Sequence, residues 1–145
     1  MNMTNQEYSA YIDKISPNSN LWGNIIRAFL AGGLICVMGQ GIMQTLVHFG
    51  MEMENAKPMT AVILIFLGSI LTGLNAYDNI AHVGKAGTLI PITGFANAVV
   101  SPAMEFKAEG YVVGLGAKLF TVAGPVLVYG SIAATIYGLI YAVLK

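Results

Sequence analysis

Thr93, Asn97, Ser101, Glu105 and Glu109 recur at every fourth position, so neighbours in the series share one face of a helix. In line they offer two hydroxyls, an amide and two carboxylates, a set suited to hydrogen-bonding a polar solute. They belong to the stretch Gly87–Gly110, GTLIPITGFANAVVSPAMEFKAEG, which Pro91, Gly94 and Pro102 interrupt. Proline removes a donor and crowds the preceding turn, so helices break or bend there. Long apolar runs flank the stretch on both sides, and broken backbone at membrane depth is tolerated only where protein covers it or water reaches it. The expectation is a re-entrant helical hairpin over about 87–118, shaped by Pro91, Gly94 and Pro102. Its Thr93, Asn97 and Ser101 would face a water-filled solute path, with Glu105 near the mouth. The competing expectation is an interfacial helix whose polar stripe looks at headgroups.

Other chemistry is sparse. Glu105 and Glu109 flank Lys107 in a polar linker and read as a solvated turn rather than an acid–base dyad. Asp78 and His82 lie one turn apart, where a carboxylate can take a proton or cation but is ordinarily solvated. His48 and His82 have no companions at metal-ligand spacing, so no metal site and no cofactor are expected. There is no GxxxxGK[ST] or GxGxxG motif, and two dispersed histidines make no Ser-His-Asp set. The chain does not read as an enzyme.

The elements that hold the stripe follow from composition. Of 145 residues, 56% are hydrophobic and 10% charged, against roughly 25% charged in soluble domains. This is an all-α integral membrane protein. Seven basic and seven acidic residues cancel, which argues against nucleic acid or an anionic-lipid tether as the main partner. Residues 1–20 form a polar, amphipathic segment with Tyr8, Tyr11, Ile12 and Ile15 at helical spacing, broken at Ser16-Pro17-Asn18. Residues 21–145 form one transmembrane helical domain.

About three crossings are expected, over 25–49, 59–77 and 119–144, with Glu52, Glu54, Lys57 and Pro58 in the first connecting loop. Ala28, Gly32 and Cys36 make a small-residue track on the first helix, and Gly68, Thr72 and Ala76 make one on the second. Gly130, Ala134 and Gly138 make a third, and small residues are what close helix contacts in lipid use. Gly84 reads as a helix stop and Gly124-Pro125 as a break or kink. Arg27 and Lys118 are interface anchors, because a lysine at mid-membrane costs roughly 2.5–3.5 kcal/mol. The segments 27–39 and 118–130 align in phase as a weak repeat. If both bases sit on one side, the broken stretch enters and leaves by the same face. The alternative is four crossings, with 87–103 as a short spanning helix. Lys14, Arg27 and Lys85 against Lys57 place the N terminus in the cytoplasm.

RAFLAGGLICVMGQ, TGLNAYDNIAHVGKAGTLIPITGFANAVVSPAMEFKAEG and GLGAKLFTVAGPVLVYG together resemble the stage V sporulation protein A family. The long polar N-terminal segment is nearer its AC-type than its AE-type members. The likeness covers about residues 26–132, and PITGFAN with SPAxEFKxEG is its distinctive part. It implies a multi-pass protein of the forespore or spore inner membrane, in a complex that moves dipicolinic acid with calcium during sporulation and germination. It also implies a channel that can be gated by tension. A scaffold subunit that holds pore-forming partners is the other reading. One chain is too small to enclose a wide path, so a homo-oligomer or a complex with sister subunits is expected.

Overall fold

A computed structural model describes residues 4–15 and 19–144, and the regular elements among them are all helical. Helix α1 spans Asn5–Ile15. It opens on a capping box in which the Thr4 N–H and hydroxyl donate to the Glu7 carboxylate at 2.8 and 2.9 Å, satisfying a first-turn donor. The break expected at Ser16-Pro17-Asn18 lies outside the described residues.

Helix α2 spans Leu21–His48, starting earlier than residue 25 because the Asn20 side chain caps the Gly23 N–H at 3.2 Å. Helix α3 spans Met53–Gly73, so Glu54, Lys57 and Pro58 belong to the helix and not to the loop. Pro58 lies past the first turn of α3 and removes the donor that would reach the Glu54 carbonyl, yet the helix continues through it. The same helix stops at Gly73 rather than 77. Asn75 takes a left-handed φ of 55°, and the Asn75 and Ala76 N–H groups close onto the Thr72 and Leu71 carbonyls, both at 2.9 Å. Asparagine tolerates this conformation, and the paired bonds satisfy the last free carbonyls.

Three short helices follow: α4 (Tyr77–Gly84), α5 (Ala86–Leu89) and α6 (Ile92–Glu105). Gly84 ends α4 as expected, and Pro91 caps α6 in an extended conformation. Pro102 does not break α6, nor does Pro125 break the last helix, α7 (Ala117–Leu144). Losing one intrahelical bond is tolerated where local adjustment re-satisfies the freed carbonyl. A 3-10 turn over Phe106–Glu109 and a wide π turn over Tyr111–Gly116 lead into α7. The broken stretch is therefore Tyr77–Glu105, shifted from the expected 87–118.

Among the described residues three helices are long and apolar enough to cross a membrane: Leu21–His48, Met53–Gly73 and Tyr111–Leu144. The short α2–α3 connection makes those two antiparallel. Helix α5 then lies across the track on α2, where a methyl built on Gly32 would sit 3.3 Å from the Gly87 carbonyl oxygen. At Gly87 itself a methyl would fall on the Ala28 carbonyl. Helix α6 presses on α3 at Gly68, which faces the Thr93 backbone and the Ala96 methyl. The buried interior is correspondingly small in side-chain size, with Ala56, Ala96, Ala103, four threonines and Tyr77. Large apolar side chains point outward, as they do where lipid is the solvent.

The third track behaves otherwise. Among the described residues Gly130 and Gly138 have nothing within 4 Å of a would-be methyl, and α7 is exposed from Val126 to Leu144. Nor does the weak repeat reappear in the packing among the described residues: a methyl built on Gly39 would sit 3.4 Å from Leu64, whereas one on its counterpart Gly130 meets nothing within 4 Å.

Candidate solute site

Two small-residue faces set the position of the polar stripe. Gly68 admits Thr93 and Ala96 of α6, and one turn further Thr72 meets Asn97. One more turn brings Asn75 and Asp78 to Ser101 and Glu105. Numbers rise together on both sides of this contact, so α6 runs parallel to α3. Helices α4 and α5 supply the return, and the hairpin enters beside Asp78 and leaves beside Glu105.

Hydrogen bonds lock the hairpin at its inner end. The Tyr77 hydroxyl donates to the Thr88 carbonyl at 2.7 Å and lies 2.9 Å from the Thr93 hydroxyl, which can donate in return. All three residues are buried, where an unpaired hydroxyl or carbonyl would be costly. Thr88 also donates to the Lys85 carbonyl at 2.9 Å. Thr93 thus has protein partners in place of the water expected for it.

Asn97 is half-buried, its Oδ1 2.9 Å from the Thr72 hydroxyl, which also reaches the Gly68 carbonyl at 2.7 Å. Above this pair the stripe opens into a polar cavity of about 260 Å³, lined by Thr72, Asn75, Asp78, Ser101, Met104 and Glu105. Of the residues expected along a solute path, Ser101 and Glu105 line the cavity. Asn97 lies beneath it, bonded to its lining residue Thr72, and Thr93 is buried in the hairpin, bonded to Tyr77. Glu109 lies past the end of α6 in the 3-10 turn.

Two carboxylates, an amide and two hydroxyls around one recess are oxygen donors of the kind that hard cations and hydrogen-bonding solutes accept. Tyr77, Thr72 and Asn75 were not assigned to the site from sequence. Tyr77 read as the end of an apolar helix and Thr72 as a packing residue. An asparagine after an apolar run is a helix-stop signal, and it was the available clue to Asn75. Of the two anchors, Lys118 holds its ammonium 3.7 Å over the Phe106 ring at the end of α6, a favourable cation–π placement. Arg27 lies near the start of α2, exposed.

The SpoVAC/SpoVAEB sporulation membrane protein family model matches residues 24–140. The chain is 40% identical to stage V sporulation protein AC of Bacillus subtilis (strain 168) over 141 residues, covering 95% of this chain and 94% of that one. No solved structure matches it.

Proposed function

As this chain belongs to the SpoVAC/SpoVAEB family of sporulation membrane proteins, we propose that it is a channel subunit of a spore inner-membrane complex. Its solute would be dipicolinic acid with calcium, moved during sporulation and germination. The observation that carries this reading is the polar cavity between Asp78 and Glu105, seated on the Thr72–Asn97 pair. A one-to-one calcium chelate of a dianionic acid is neutral, so it needs hydrogen-bonding groups more than a ring of one charge. Asn75 and Ser101 supply these, while Asp78 and Glu105 face the cation. Thr72 with Asn97 would form the constriction that must part for passage. Membrane tension, which favours expanded states, is the proposed stimulus.

Arg27 and Lys118 mark the end where the cavity opens, and Lys57 the opposite end; an excess of basic residues favours the cytoplasmic side. Exposed apolar faces on α7 fit assembly into a homo-oligomer or with sister subunits. The test is conductance of the purified protein in planar bilayers, with and without applied tension, alongside release of dipicolinic acid from proteoliposomes. Conductance that Glu105→Gln shifts in ion preference supports the proposal. Silence in both assays, with the protein shown to be inserted, favours a scaffold that holds other pore-forming subunits.

A further inference from the structure

A second recess, on the far face of α4 from the polar cavity, has different chemistry. It is a groove of about 540 Å³ between α2 and α4, walled by Leu30 and Leu34 on one side and Ile80 and Val83 on the other. Its floor is the contact of Ala31 with Gly84, whose would-be methyl would stand 2.8 Å from the Ala31 methyl. Two polar residues border it, Arg27 and Asn79. Arg27 has no carboxylate partner among the described residues, and no acid lines the groove. The neighbouring carboxylate, Asp78, lines the polar cavity instead.

We propose that this groove holds one anionic phospholipid, its phosphate on Arg27 and Asn79 and one acyl chain between α2 and α4. The charge match commits the occupant. A guanidinium binds phosphate oxygens in a planar, two-pronged way, and a zwitterionic lipid would bring a second, repelling cation. Position agrees as well. Arg27 lies in the second turn of α2, close to the exposed Trp22, and tryptophan favours the headgroup level. From there Leu30 and Leu34 descend one turn at a time along the same face. Basic pockets between membrane helices are where anionic headgroups bind. Occupancy would brace α4 against α2, so the lipid would support the hairpin from outside.

The experiment is native mass spectrometry of the detergent-purified full chain with added phosphatidylglycerol or phosphatidylcholine. Retained lipid is counted and thermal stability is read in parallel. The expected result is retention of phosphatidylglycerol in preference to phosphatidylcholine. Arg27→Gln should lower retention roughly fivefold, the loss expected for one basic side chain at an anionic surface, and Arg27→Lys should recover part of it. Val83→Trp, at an exposed position, fills the groove without touching Arg27 and should also expel the lipid; it covers the case that Arg27→Gln fails to fold. Equal retention of both lipids, or undiminished phosphatidylglycerol in Val83→Trp, overturns the proposal. So does displacement by soluble glycerophosphate at concentrations matching the lipid, which would mean a headgroup site with no use for the groove. A Val83→Trp protein that changes only its oligomeric size would make the groove a contact between copies.

Discussion

Thr72 Oγ1 lies 2.9 Å from Asn97 Oδ1 and 2.7 Å from the Gly68 carbonyl oxygen, joining α3 to α6 beneath the polar cavity. A hydroxyl has one proton, so it cannot donate to both oxygens. With the amide turned to present Nδ2, Thr72 donates to Gly68 and accepts from Asn97, and both groups are satisfied. The bond couples helix packing to the chemistry of the proposed path.

The first prediction is a double-mutant cycle on that pair. Thr72→Val and Asn97→Ala should each lower thermal stability, with a coupling of about 0.6 kcal/mol and at most about 1.7 kcal/mol, the span seen for hydrogen bonds between membrane helices. Asn97→Leu should cut solute release sharply at equal abundance in the membrane. Additive stability effects together with unchanged release would remove the pair from the path.

Tyr77 closes the hairpin through Thr88 and Thr93, so Tyr77→Phe leaves a buried carbonyl and hydroxyl one partner short. The expected cost is about 1–3 kcal/mol, read as a lower melting temperature. Faster proteolysis between α4 and α6 should accompany it. A variant as stable as wild type would mean that packing alone holds the hairpin.

Two glycines with opposite surroundings make an internal comparison. Gly87→Ala drives a methyl into the Ala28 carbonyl, and backbone cannot swing aside, so about 1–3 kcal/mol should be lost. Gly130→Ala meets nothing within 4 Å and, in a helix, should be neutral or stabilising by up to about 1 kcal/mol. Leu at Gly130 then reports on neighbouring chains: a smaller assembly marks this face as an interface, an unchanged one as a lipid face.

Asp78 and Glu105 should lie on the same side of the membrane. Single cysteines at each, in a Cys36→Ala background, should react with an impermeant thiol reagent from one side only. Both positions are exposed, whereas Gly87 is buried and admits no side chain. Labelling of the two from opposite sides would require a fourth crossing.

Glu7 sets the pH response of α1. The Thr4 backbone N–H, and secondarily the Thr4 hydroxyl, hold its carboxyl below the usual 4.5. A depressed value means the charged form is favoured in the folded helix. The capping contribution is therefore complete above pH 4.5 and is lost as pH falls through the lower, folded value. Amide resonances of Thr4 to Tyr8 should show α1 fraying in that window. Glu7→Gln should abolish the titration.

Much of this architecture was legible because membrane helices announce themselves locally. Apolar length and low charge mark α2, α3 and α7 without reference to any neighbour. Gly32 on α2 and Gly68 with Thr72 on α3 were legible as packing positions for a similar reason, since close approach requires small side chains wherever the partner comes from, although Ala76 falls beyond the end of α3. Pro91 likewise marked the turn between α5 and α6 from covalent geometry alone, whereas Gly94 lies inside α6, pressed against the Thr88 and Leu89 carbonyls. What the chain could not announce was which element fills each track. Tyr77 looks like the end of a helix until Thr88 and Thr93 close over it, and Thr93 looks like a solvated stripe residue until Tyr77 covers it. Both are non-local bonds, set by where α4 and α5 turn back. Pro102 and Pro125 show the same division: proline removes a bond locally, but whether the helix breaks depends on what re-satisfies the freed carbonyl. The Asp78–Glu105 cavity exists only because α6 runs parallel to α3, and that direction was decided by packing of Gly68 and Gly87, not by any spacing along the chain.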